Sequence, residues 1–212
     1  MTETIEQIQA TASLLVPEII LLATVCAMFL GGPLLVTDAG DASSGLRHRW
    51  GFLSLAAVAV AWAIWFGGGA DAGKGSLFRI DELVWYTRGL SLSAGILLVL
   101  VLWNQVDDGY AAEAHACLLA ILTGTNLVAA ASDLVSLFLA LELVSIPTYV
   151  LLYVARRDRA GREAAIKYFL LSIFSSALVL YGMSWMYASR APPISTQLPT
   201  SSAPTPPRRT LA

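Results

Sequence analysis

The sequence predicts an all-α fold, a polytopic transmembrane helix bundle of about six spans with a disordered Pro-rich C-terminal tail. Three observations predict it. Of the 212 residues, 57% are hydrophobic and only 13% charged, with a mean hydropathy of +0.68, the balance of a membrane protein rather than of a soluble domain. The apolar residues gather in runs of about 20, the length a helix needs to cross a hydrocarbon core. Six of the nine prolines crowd into the last 21 residues, in a segment too polar to bury a core.

The spans fall near residues 16–36, 50–67, 89–105, 114–132, 134–155 and 163–187, so that residues 1–188 form the transmembrane domain and 189–212 the tail. The opening "MTETIEQIQATASLL" has no Lys or Arg and so lacks the positive region of a cleaved signal, which makes the first span a retained helix. Glu18 follows Pro17 where an acid complements a helix N-terminus, and we read it as capping. The second span, "WGFLSLAAVAVAWAIWFG", is uncharged with Trp near both ends, as an interfacial aromatic belt requires. The third begins at Gly89, leaving Arg88 in the preceding loop. The fourth opens with His115 beside Glu113, either an interfacial polar residue or part of a proton relay.

Loop charges set the orientation. Arg47, Arg49, Arg156, Arg157, Arg159 and Arg162 fall on one side, and Lys74, Arg79 and Arg88 on the other. Cytoplasmic loops hold the excess, so the N-terminus is expected outside.

Several function classes drop out. A formal charge of −2 with scattered cations gives no nucleic-acid face. Cys26 and Cys117 lie in apolar spans away from His or acid clusters, so no metal or disulfide framework is expected. "FGGGADAGKGSLF" lacks the phosphate-loop spacing, and catalytic triads, haem attachment, iron–sulfur spacing and dinucleotide fingerprints are missing from the sequence. The remaining chemistry is proton movement.

Its candidates are Glu142 and Lys167. Glu142 lies eight residues into the fifth span, about 12 Å deep. A carboxylate there costs on the order of 3 kcal/mol unless it faces protein or water. Ser145 and Tyr149 continue a polar stripe on its helix face. Pro147 has no N–H for the carbonyl of Leu143, which is freed beside the acid. Chemistry alone leaves two readings, a proton-handling group or a carboxylate that fixes helix packing. Lys167, four residues after Glu163, reads equally as an interfacial cation paired with that acid or as a proton-path residue.

From residue 132 onward, "SDLVSLFLALELVSIPTYVLLYVARRDRAGREAAIKYFLLSIFSSALVLYG" resembles subunit N of the proton-pumping NADH:quinone oxidoreductase, respiratory complex I. The E-L-x-S-x-P-x-Y run followed by E-A-A-x-K-Y-F is of the N type rather than that of its L and M paralogues or of Mrp-type antiporters. The resemblance extends more loosely over residues 14–187, and "TGTNLVAAAS" departs from it. It implies an antiporter-like membrane-arm subunit with no metal or cofactor of its own, NADH, FMN, iron–sulfur clusters and quinone being expected on other subunits. Glu142 would be its fifth-span glutamate and Lys167 the lysine of its basic motif, both on a proton path. One charge crossing 100 mV requires about 2.3 kcal/mol, roughly 1.7 pKa units, within the range over which burial and a moving counter-charge shift a carboxylate. The implied partners are other membrane-arm subunits and the lipid bilayer, and the implied location is a bacterial inner membrane. The family's seventh-span lysine and later helices lie outside this sequence. The alternatives are a truncated or frameshifted inactive form of that subunit, and a cation/proton antiporter subunit.

Overall fold

The computed structural model describes residues 12, 14–35, 45–67, 78–156 and 158–190. They form six long helices: α1 (Val16–Leu35), α2 (Leu46–Gly67), α3 (Glu82–Leu102), α4 (Ala111–Ala130), α5 (Leu134–Ala155) and α6 (Arg159–Arg190). Each is long and apolar enough to cross a membrane. The only β-pairing among the described residues is an antiparallel bridge between Phe78 and Ala131.

The fifth helix starts at Leu134 because Asp133 caps it. Its carboxylate accepts the N–H groups of Val135 and Ser136 at 2.8 and 2.9 Å. The third differs. Asp81 accepts the Val84 N–H at 3.1 Å, so α3 starts at Glu82, seven residues before the expected Gly89. Arg88 is therefore inside a helix rather than in a loop. A guanidinium in mid-pattern reads as a boundary when its counter-charge is on another helix. The sixth helix runs from Arg159 to Arg190, so residues 189 and 190 are helical and not part of the expected tail. Residues 191–212, the Gly-rich stretch with Lys74, and Arg157 lie outside the described residues.

The chain divides into two units, residues 1–176 and 177–212. In the first, α4 is the central helix, meeting α1, α2, α3 and α5. Its small residues make this possible: Ala112, Ala116 and Ala120 are buried with Leu118, Leu119 and Leu122. They pack against Leu21, Met28, Val58 and Leu92 of the surrounding helices. Without a hydrophobic force between helices in lipid, close approach of this kind is what holds a bundle together. Gly124 is such a point against α5: a Cβ there would lie 3.0 Å from both the Leu143 carbonyl carbon and the Val144 nitrogen. In the second unit the described residues continue as helix, with Tyr181 and Trp185 edge to face at 6.5 Å.

Candidate functional site

Asp133 fixes the start of α5, which places Glu142 nine residues on, about 13 Å along the axis. The carboxylate is half-buried, and its Oε1 accepts the Ser176 hydroxyl of α6. Tyr149 lies within electrostatic reach of it and meets Phe169 edge to face at 5.1 Å. Pro147 is buried in α5, and Thr148 donates its hydroxyl to the Val144 carbonyl at 2.7 Å. The acid and a proline that interrupts the helix ladder therefore share one stretch of α5, and the hydroxyl that meets the acid comes from α6.

Lys167 is placed elsewhere. Its Nζ is 2.6 Å from Glu163 Oε1, with side chains 74% and 61% exposed, so each is held by the other on the outer face of α6. The structure pairs Glu142 with Ser176 and Lys167 with Glu163, and Ser176 is about 13 Å along α6 from Lys167.

A second charged site was not expected from the sequence. Arg88 of α3 grips Glu18 of α1, Nε to Oε1 at 2.7 Å and Nη2 to Oε2 at 3.0 Å. Both side chains are almost fully covered, 7% and 3% exposed. The Nη2–Oε2 contact is a hydrogen bond, and the Nε–Oε1 approach is a close charge contact without hydrogen-bond geometry. Glu18 is thus the buried partner of Arg88 rather than only the helix cap it was taken for. Asn126 of α4 lies beside the same carboxylate and accepts the Ser91 hydroxyl through Oδ1, while its Nδ2 makes no hydrogen bond of good geometry among the described residues. At the other end of α4, His115 is buried with its Nδ1 3.2 Å from Ser54 Oγ of α2. The signal that could have found the first pair was an acid and a base near the same ends of two spans, each uncompensated on its own helix.

An apolar groove of about 460 Å³ runs between α1, α4 and α5, lined by Leu22, Leu127, Leu139 and Leu143 with Asp133 at one end. Outside the membrane spans, the Ser136 backbone N–H and hydroxyl, and then the Val135 N–H, hold the Asp133 carboxyl below its ordinary 3.8. Among the described residues there is no cluster of three or more His, Cys, Asp or Glu side chains that could hold a metal ion.

The comparisons with known proteins bear on this geometry. Residues 131–202, which contain Glu142 and Lys167, match the family model described as NADH:quinone oxidoreductase/Mrp antiporter, TM. The match continues past Tyr187, where the sequence alone had put the end of the resemblance. The NADH-quinone oxidoreductase subunit N of Sphingopyxis alaskensis is 32% identical over 179 residues, 84% of this chain and 36% of its own. Subunit N 1 of Solibacter usitatus is 35% identical over 144 residues, 66% of this chain and 30% of its own. The chain is a subunit N-like member of the NADH-quinone oxidoreductase family. A chain in the structure of respiratory complex I from Thermus thermophilus with bound aureothin superposes with a TM-score of 0.62 at 25% identity, over 79% of this chain and 36% of that one. This subunit N-like chain spans about a third of the length of the relatives it matches.

Proposed function

We propose that this chain acts as an antiporter-like part of the membrane arm of an NADH:quinone oxidoreductase, with Glu142 as a group that loads and releases a proton. The observation that carries the reading is the setting of Glu142. It is an acid in the middle of an apolar helix, half-buried, met by the Ser176 hydroxyl and followed by a buried proline. A purely structural carboxylate in lipid is better held by a fixed cation, as Glu18 is. A hydroxyl accepts or donates as needed, so it can partner both the charged and the neutral acid.

Lys167 is the second proton-path residue in this reading. Its contact with Glu163 is a single i,i+4 pair within one helix, which ties it to no other element. Release from Glu163 would free the ammonium to act on the path, and capture would withdraw it. Redox cofactors, in this proposal, belong to other subunits of the complex, and this chain contributes the proton-handling helices. The bacterial relatives support a bacterial inner membrane. The positive-inside rule supports an external N-terminus.

The test is Glu142→Gln in a complete subunit within its complex. The expected result is that NADH oxidation persists while proton translocation per turnover falls. Translocation at the wild-type level would overturn the reading. Sodium-driven proton exchange by vesicles would place the chain on the Mrp side of the family instead.

A further inference from the structure

The Glu18–Arg88 pair is built to stay closed. A guanidinium keeps its proton throughout the accessible pH range, so a proton arriving on Glu18 would strand a buried cation. The pair therefore cannot serve as a second carrier. Its energetic value is also limited, because well-packed apolar residues of the same volume often hold helices equally well. A buried charge pair closed by a hydrogen bond does offer something apolar packing lacks: its two groups must meet at one depth on each helix.

The neighbours extend that constraint toward Glu142. Asn126 of α4 lies beside the Glu18 carboxylate and takes the Ser91 hydroxyl of α3, so α1, α3 and α4 meet at one polar node. Two residues earlier on α4, Gly124 abuts the α5 backbone at Leu143 and Val144, the two residues that follow Glu142. The contacts from Glu18 to Glu142 are continuous: an ion pair, an amide, half a turn of α4 and a backbone approach.

We propose that Glu18, Arg88 and Asn126 are positioning residues for Glu142, fixing α4 and, through Gly124, the register of α5 that brings the carboxylate to Ser176. This deepens the reading of Glu142 as a proton carrier and rests on it, but the geometry can be tested without transport.

The test uses the 212-residue chain in vesicles of phosphatidylethanolamine and phosphatidylglycerol. Dicyclohexylcarbodiimide modifies carboxyl groups in apolar surroundings, and peptide mass spectrometry gives the rate at each acid. Glu18→Gln and Arg88→Met are expected to change the rate at Glu142 by about threefold or more, the size of coupling carried through packed helices. The exchanged pair, Glu18→Arg with Arg88→Glu, is expected to bring it back toward the wild-type rate. Should Arg88→Met fail to insert, Arg88→Lys keeps the charge while losing the planar guanidinium and is expected to shift the rate in the same direction. Gly124→Ala, with the pair intact, should shift it as well. An unchanged rate at Glu142 in these variants overturns the proposal, as does modification of Glu18 as readily as Glu142. Normal pumping by Glu142→Gln would instead remove the carrier reading and leave the labelling result standing.

Discussion

Ser54 and His115 determine each other's hydrogens. The Ser54 hydroxyl donates its single proton to the Gly51 carbonyl at 2.8 Å, and His115 Nδ1 lies 3.2 Å from the same oxygen. The imidazole must then be the donor, which fixes the hydrogen on Nδ1. Nitrogen chemical shifts of labelled His115 should report the Nδ1–H form. Ser54→Ala should leave that N–H without its acceptor and lower stability by about 1–3 kcal/mol, read from thermal unfolding in detergent.

Removing one partner of the Glu18–Arg88 pair leaves a buried charge uncompensated, since both side chains are almost fully covered. Arg88→Ala is expected to cost about 3–5 kcal/mol. The double variant Glu18→Leu with Arg88→Met should recover most of that loss. The fraction of folded chain as detergent denaturant rises measures both.

At Gly124 a methyl group would lie 2.7 Å from Val144 Cγ2 and 3.0 Å from backbone atoms that cannot rotate away. Gly124→Ala should therefore destabilise by about 1–3 kcal/mol despite the better helix propensity of alanine. Gly67→Ala, whose methyl would meet nothing within 4 Å among the described residues, is the control and should be neutral or better.

The Lys167–Glu163 pair is exposed and local, so Lys167→Ala should change the melting midpoint by less than the equivalent of about 1 kcal/mol. A folded chain with impaired proton translocation is the expected phenotype in a complete subunit. A large loss of stability would mean that the lysine holds the helix rather than serving the path.

Asp133 provides a pH dependence outside the membrane spans. Its folded carboxyl is held below the ordinary 3.8 by the N-terminal N–H groups of α5. A depressed acid contributes stability that is complete above the unfolded value and is lost as pH falls through the folded one. Amide exchange at Val135 and Ser136 should therefore accelerate only below about pH 4. Asp133→Asn, which keeps the cap without the charge, should flatten that dependence.

The six helices were legible because membrane thickness imposes one length on every span, and apolar runs of that length are hard to conceal. The start of α3 was not, because Arg88 broke the run and the acid that neutralises it is 70 residues away on α1. Local pattern detects uncompensated charge and has no access to compensation across helices. Asp81, a capping residue just ahead of Leu83 and Val84, was the one nearby mark of the true start. Glu142 was legible for the opposite reason: no cation on its own helix could explain it. Its partner Ser176 was not, since a serine in a small-residue helix carries no signal of what it meets. His115 read as an interfacial residue or a relay member because it opens its span. Its burial follows from α4 standing at the centre, which the Ala-rich run "AAEAHACLLAILTG" announces only once the neighbours are known.

The order of synthesis gives the Glu18–Arg88 contact a time as well as a place. The two residues are 70 apart, and chains are made at about 5–20 residues per second, so Glu18 reaches the bilayer about 4–14 s before its cation does. Through that interval the carboxylate must stay near the headgroups or pick up a proton. The emergence of α3 from the ribosome is then the event that draws α1 to its final depth.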